Sequence, residues 1–182
     1  MLRLTLFGHF QATLDNEPLS FPTQSVSALV AYLVLEQRVP QPRAHVAALL
    51  WPDSTDAHGR RNLRQTLLRL RQTVPDTPPG DPFILTIHDT LQWNPVYPAE
   101  IDVHQFERQM AQAEPFLHTP RDETPYPAIA PLQAALDLYH DNLLLGFGLI
   151  NDFYARWLHN WRTKYQRQAL TFACHCQNAG EF

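Results

Sequence analysis

The sequence is poor in cysteine and glycine and has no long hydrophobic run. Its only two cysteines, Cys174 and Cys176, exclude a disulfide-rich scaffold. Side chains two residues apart on a helix point about 200° apart, so a disulfide between them is disfavoured and a reducing compartment is expected. Six glycines stand against sixteen prolines, which argues against a glycine-rich phosphate loop. The longest apolar stretch, residues 143–150, is less than half of the roughly 20 residues that a membrane helix needs. We therefore expect a cytoplasmic protein with no membrane partner.

The sequence also lacks the common catalytic and metal-binding motifs. Nine histidines are present, but none forms an HExxH motif, and GxSxG, Walker and GxGxxG motifs are missing. A helix would spread Cys174, His175 and Cys176 around its circumference. A buried cysteine pair with a solvated histidine is therefore favoured over a metal site. No catalytic residue, metal or cofactor is predicted, and an enzyme is the weakest functional hypothesis.

Positive charge is concentrated in one segment. The formal net charge is −4, which excludes a protein held to nucleic acid by its overall field. Five arginines and one aspartate lie between Asp56 and Gln72, so this segment carries +4 and the remaining residues together carry −8. Arginine can form forked hydrogen bonds to guanine edges or phosphates, which lysine does less well. The segment is thus a candidate for local contact with DNA.

The N-terminal residues predict a small antiparallel sheet. Leucines alternate with polar residues over 2–6, as in a half-buried strand. Further strands are predicted over 10–14 and 19–21, and Asp15-Asn16 is a turn signal between them.

Three helices and a hairpin follow. The first helix is capped by Thr23 and ends near Gln37, the second begins at Pro42 or Arg43, and the third covers about 56–74. A hairpin with a turn at His88–Thr90 is predicted over 83–93. This order predicts an α+β winged helix-turn-helix with an added N-terminal sheet. In such a fold the third helix enters the major groove and the hairpin reaches the adjacent backbone.

The third predicted helix is amphipathic. Its apolar residues at 63, 67, 70 and 74 lie within about 60° of one another on a helical wheel. Arg61, Gln65 and Leu68 lie on the opposite side. A basic amphipathic helix taken alone is more often a solvated surface than a ligand site. Its position, after a short turn and before a hairpin, favours a DNA-recognition helix.

The remainder of the chain is acidic and predicted to be helical. Helices are predicted over 101–114, 132–145 and 151–177, with an irregular proline-rich connection over 115–131. Four aromatic residues in the last helix have helical spacing, for which core packing is favoured over a peptide-binding groove. They are Phe153, Tyr154, Trp157 and Trp161.

The last residues predict that the chain continues in a longer protein. Gly180 is placed as a helix C-cap, and residues 179–182 match a common turn between the two helices of a tetratricopeptide-type unit. One unfinished unit cannot bury its own face, so a fragment is expected.

Several stretches together resemble the antibiotic-regulatory-protein (SARP) type transcriptional activators of bacteria. They are LRLTLFGHFQATLDNEPLSFPTQSVSALVAYLVL, HVAALLWPDS and RRNLRQTLLRLRQTV, followed by IDVHQFE and WLHNWRTKYQRQAL. The resemblance implies an OmpR/PhoB-type winged helix over 1–97. It also implies the N-terminal part of an all-α, tetratricopeptide-like bacterial transcriptional activation domain (BTAD) over 98–182. The implied partners are double-stranded DNA with direct repeats at promoters, and RNA polymerase or another protein through the helical domain. Two copies are expected to form a dimer on DNA.

The resemblance also implies a set of DNA-binding residues. Arg61, Arg64, Gln65 and Arg69 match positions that face bases or phosphates, Arg71 matches a backbone contact, Arg43 matches a phosphate contact, and His88 and Thr90 match the tip of the wing. The chain departs from the family at Gln24-Ser25, where a basic residue is common, and at Leu68, where a small polar residue is common.

A rival hypothesis belongs to a different functional class. In it, the helical half binds protein and the winged helix is a docking element that does not bind DNA. The net charge of −4 favours this interaction module.

Overall fold

The computed structural model describes residues 1–75, 80–116, 126–147 and 150–177 of the chain. These residues form a small β-sheet part and a helical part with six α-helices. The strands are β1 Leu2–Thr5, β2 Gln11–Leu14, β3 Glu17–Pro18, β4 Gln41–Pro42, β5 Ile84–Ile87, β6 Thr90–Trp93 and β7 Ala99–Ile101. The helices are α1 Gln24–Leu35, α2 Arg43–Leu50, α3 Asp56–Thr73, α4 Asp102–Ala113, α5 Tyr126–Leu138 and α6 Asp152–Gln177.

The strands form two sheets, one of four strands in the order β3–β2–β1–β7 and one of three strands in the order β4–β6–β5. The predicted alternation in β1 is confirmed, since Leu2 and Leu4 are buried and Arg3 is exposed. The third strand was predicted too late, over 19–21. The turn at Asp15-Asn16 has positive φ at both residues and needs no further loop, so the return strand begins directly at Glu17.

By its internal contacts the chain divides into two compact units. The first contains Met1–Arg3, Ala12–Ala99 and Gly146–Trp157. The second contains Leu4–Gln11, Glu100–Leu145 and Leu158–Phe182. Each unit combines three stretches of chain. The division into domains 1–97 and 98–182 stays a prediction.

The first unit is built around α1, of whose twelve residues nine are buried. Helix α1 packs against α2, α3 and β6. The start of α6 closes this core. The Tyr154 hydroxyl donates to the carbonyl of Ala28 (3.1 Å), and the Trp157 indole donates to Glu36 Oε1 (2.8 Å). Core packing is thus confirmed for Tyr154, whereas Trp157 and Trp161 are half-buried and Phe153 is exposed.

The second unit has an aromatic core between α4, α5 and the chain around Phe7. The rings of Phe7, Phe106, Tyr139 and Tyr165 contact one another edge-on or at a tilt. The Asp102 carboxylate, at the start of α4, accepts hydrogen bonds from the backbone amides of Leu6 (2.7 Å) and Phe7 (2.8 Å). This contact places the N-terminal segment against α4 by polar as well as apolar interactions.

The prediction of a helix over 132–145 was wrong in both bounds. Helix α5 begins at Tyr126 and ends at Leu138, so part of the predicted irregular connection is helical. Leu143 and Leu145 instead form isolated bridges to Phe7 and His9, and Leu144 between them has a φ of 51° in the left-handed region. The Leu144 amide donates to the Leu6 carbonyl (2.7 Å), a partner that a local pattern cannot show.

No helix in the described residues is long and apolar enough to cross a membrane. Within the same residues, no group of three or more histidine, cysteine, aspartate or glutamate side chains is placed to hold a metal ion. The side chains of Cys174 and Cys176 and the predicted turn at 179–182 lie outside the described residues.

Candidate nucleic-acid interface

Helix α3 begins at a capping residue and carries a clear division between a buried and an exposed side. Thr55 is its N-cap, and the Thr55 hydroxyl accepts a hydrogen bond from the backbone amide of His58 (3.4 Å). A carboxylate in the first turn, that of Asp56, is favourable to the helix dipole. The buried residues are Gly59, Leu63, Thr66, Leu67 and Leu70. These residues pack α3 on α2 and α1 and leave the opposite side to solvent.

The exposed side of α3 carries five arginines, which we call the arginine surface: Arg60, Arg61, Arg64, Arg69 and Arg71. Gln65 and Gln72 are also exposed there, and so is the apolar Leu68. Within the described residues, none of these arginines makes an ion pair with a carboxylate. Their positive charge is therefore available to an outside anion.

The hairpin predicted over 83–93 is present as β5 and β6. Ile87 pairs with Thr90, so the turn consists of His88 and Asp89 alone. His88 is exposed and has a φ of 51°, in the left-handed region. The Thr90 hydroxyl donates to the Ile87 carbonyl (2.7 Å) and thereby closes the turn. The predicted hairpin is confirmed, with a turn one residue shorter than the predicted His88–Thr90.

The start of α2 is attached to this hairpin. The Arg43 amide donates to the carbonyl of Asp89 (2.9 Å), directly at the turn. Strand β4, which immediately precedes α2, pairs antiparallel with β6. Arg43, whose side chain is half-buried, is therefore held beside His88 and Thr90. The two residues of β4 were too few to produce a strand signal in the sequence.

The end of α3 contacts the same hairpin. The Arg71 guanidinium donates to the hydroxyl of Thr86 on β5 (3.3 Å). Thr86 was not predicted as part of the site, because only its position across from α3 gives it a role. This bond joins the end of the arginine surface to the hairpin.

The predicted site residues thus fall into two groups. Arg61, Arg64, Gln65, Arg69 and Arg71 share the exposed side of α3, whereas Arg43, His88 and Thr90 surround the hairpin turn. Arg71 connects the groups through Thr86. Whether these residues contact DNA stays a prediction.

Comparison with known proteins gave one informative result. No family model and no curated protein matches the chain. Among solved structures, it is similar to Mycobacterium tuberculosis EmbR, determined in complex with a low-affinity phosphopeptide, with a TM-score of 0.71 and 17% sequence identity. The match covers 94% of this chain and 43% of the EmbR chain, so this chain spans less than half of that protein's length. At this identity the likeness shows a shared fold.

Proposed function

We propose that this chain is the DNA-binding part of a SARP-type transcriptional regulator. In this proposal α2 and α3 form a helix-turn-helix, the β5–β6 hairpin is the wing, and α3 enters the major groove. The observation that carries the proposal is the arginine surface, which is exposed, lacks carboxylate partners among the described residues and is followed by the hairpin. The fold shared with EmbR supports it.

Individual roles follow from position and from side-chain chemistry. Arg61, Arg64 and Gln65 lie on the outward side of α3, where arginine can read guanine and glutamine can read adenine. Arg69 is exposed on the same helix and serves bases or phosphates. Arg71, already hydrogen-bonded to the hairpin, contacts a phosphate at the edge of the groove. These assignments separate the residues that specify sequence from those that add affinity.

The hairpin turn contacts the neighbouring DNA backbone in this proposal. Arg43 and the exposed His88 supply the donors for a phosphate. The Thr90 hydroxyl already donates its hydrogen to Ile87, so Thr90 acts mainly by holding the turn in shape. Binding should be weak for one copy and stronger when two copies occupy adjacent direct repeats.

The helices of the second unit serve transcription activation in the same proposal. They correspond to a tetratricopeptide-like activation domain that contacts RNA polymerase or another protein. The proposed role is binding throughout and involves no catalysis.

A salt titration on DNA tests this function. Duplexes bound by the full chain are first selected from a random library, and affinity is then measured at three salt concentrations. Arg71→Ala should weaken binding to all sequences alike and reduce the slope of log affinity against log salt by about one. Arg64→Ala or Gln65→Ala should instead reduce the preference for the selected site over a scrambled one.

A matched pair of variants separates the arginine surface from overall charge. Arg61→Ala/Arg64→Ala should lower affinity by about 30-fold to 10⁴-fold, as expected for two lost base contacts of about 1–3 kcal/mol each. Arg108→Ala/Arg167→Ala removes two exposed arginines outside α3 and gives the same net charge, so it should bind within about twofold of the wild type. Equal losses in both variants would show that α3 is not the reader. Failure of the wild type to bind any duplex would favour the interaction module. The net charge of −4 is consistent with that module.

A further inference from the structure

One large apolar side chain stands on the exposed side of α3. Leu68 is 57% exposed, whereas the other leucines of the helix are buried on its opposite side. Its neighbours one helical turn away are Arg64, Gln65, Arg71 and Gln72, at spacings of four, three, three and four residues. On a helical wheel Leu68 lies within about 20° of Arg61 on the outward side.

The surroundings of Leu68 restrict what it can contact. Single exposed leucines are ordinary on protein surfaces. Here, however, the apolar side chain is surrounded by arginine and glutamine side chains, which can hydrogen-bond to nucleic acid. It is the only large apolar residue on the exposed side of α3. One leucine among arginines and glutamines offers too little apolar area for a stable protein interface. A partner that presents one small apolar group within a polar surface matches Leu68 and its neighbours better.

The major groove contains such a group. Among the base pairs, only those with thymine present a methyl group there, next to the donors and acceptors that arginine and glutamine read. We propose that Leu68 is a specificity-determining residue that contacts a thymine methyl in the major groove. This inference rests on the proposed function. It implies that the bound site has a thymine at a fixed position facing the middle of α3.

Removal of single methyl groups from DNA tests the inference. In the duplexes selected with the full chain, each thymine is replaced in turn by deoxyuridine, which lacks only the methyl group. Wild-type affinity should fall about fourfold at one position of each repeat, the loss expected for one methyl group returned to water. Leu68→Ala should bind the thymine and uracil duplexes equally at that position.

Leu170→Ala is the matched control. Leu170 lies on α6 and is 60% exposed, close to the value for Leu68, so its replacement removes a comparable exposed side chain away from α3. This variant should keep the wild-type response to deoxyuridine. Because more than half of Leu68 is exposed, Leu68→Ala should unfold close to the wild-type temperature, which circular dichroism can verify.

The outcomes of these measurements test the role of Leu68 separately from the proposed DNA-binding function. If the wild type binds a selected duplex but no thymine-to-uracil change alters its affinity, Leu68 does not read a methyl group and the proposed function stands. The same conclusion holds if Leu68→Ala keeps the wild-type uracil response. If the wild type binds no duplex at all, both the function and the role of Leu68 are overturned.

Discussion

Two tyrosine hydroxyls in the first unit show how single buried groups stabilise it. Tyr154 is completely buried and donates to the Ala28 carbonyl, and Tyr32 donates to Gln41 Oε1 (2.7 Å). Burial raises the pKa of both hydroxyls well above 10, with the Glu36 carboxylate adding to the effect at Tyr32 and Tyr32 adding to it at Tyr154. Both hydroxyls therefore stay protonated in the folded state at a pH where they ionise in the unfolded chain.

This difference makes stability depend on pH above about 10. The unfolded chain releases these protons first, so the free energy of unfolding should fall as the pH rises from about 10, by about 1.4 kcal/mol per pH unit for each hydroxyl. Tyr154→Phe should cost about 1 kcal/mol at pH 8, where only the hydrogen bond is lost. Its deficit should shrink at higher pH because one of the ionising groups is gone. Urea unfolding of both proteins between pH 8 and 11 measures this, and parallel pH profiles would contradict the assignment.

At the scale of elements, helix α3 is the part of the fold that its own sequence specified best. Its cap, its division into buried and exposed sides and its end all depend on residues within or next to its 18 residues. The exposure of the arginines was predictable for the same reason. The bond from Arg71 to Thr86 and the bond from Arg43 to Asp89 were not, because each joins two elements whose proximity only the folded chain establishes.

Helix α5 shows the opposite case. The three leucines at 143–145 were assigned to this helix, yet Leu143 and Leu145 bridge to Phe7 and His9 near the start of the chain. Backbone hydrogen bonds to this distant segment, such as that from the Leu145 amide to the Gly8 carbonyl (2.8 Å), take the place of helical ones. A helical pattern cannot reveal such a competing partner.

The contact between α2 and α3 leads to a prediction about a glycine. Gly59 is buried within α3, and a methyl group added there would meet the Ala47 side chain at 3.5 Å, an ordinary contact distance. Gly59→Ala should therefore fit and raise the free energy of unfolding by about 1 kcal/mol, because alanine favours a helix interior over glycine. Thermal unfolding followed by circular dichroism measures the gain.

Gly8→Ala provides the contrast. Gly8 has a φ of +83°, and an added methyl group would lie 3.4 Å from the His140 ring, so this variant should be less stable than the wild type. Equal effects of the two substitutions would show that neither local conformation nor contact distance governs them.

At the scale of the whole molecule, a negative net charge accompanies a local positive surface. The arginine surface must attract DNA against a total charge of −4. Replacing three exposed carboxylates away from α3, by Glu17→Gln, Glu114→Gln and Asp137→Asn, removes three negative charges and leaves −1. The triple variant should associate with the selected duplex about two- to tenfold faster at low salt, because long-range repulsion is weaker.

The dissociation rate should not change, since none of the three residues belongs to the arginine surface or the hairpin. Stopped-flow measurements at about 50 mM and 300 mM salt can test both statements, because the advantage in association should disappear when salt screens the charges. A persistent advantage at high salt would mean that the substitutions altered the interface itself.

The absence of lysine from the arginine surface determines which covalent chemistry can reach it. The chain has a single lysine, Lys164, whose ammonium group pairs with Glu107 in the second unit. Acetylation and amine-directed labels therefore leave the charge of α3 intact, and guanidinium groups keep that charge at any pH at which the fold persists. Dicarbonyl reagents, which modify arginine, reach all five positions. A fluorophore can accordingly be attached through amines while arginine footprinting with and without DNA reads out the surface in the same sample.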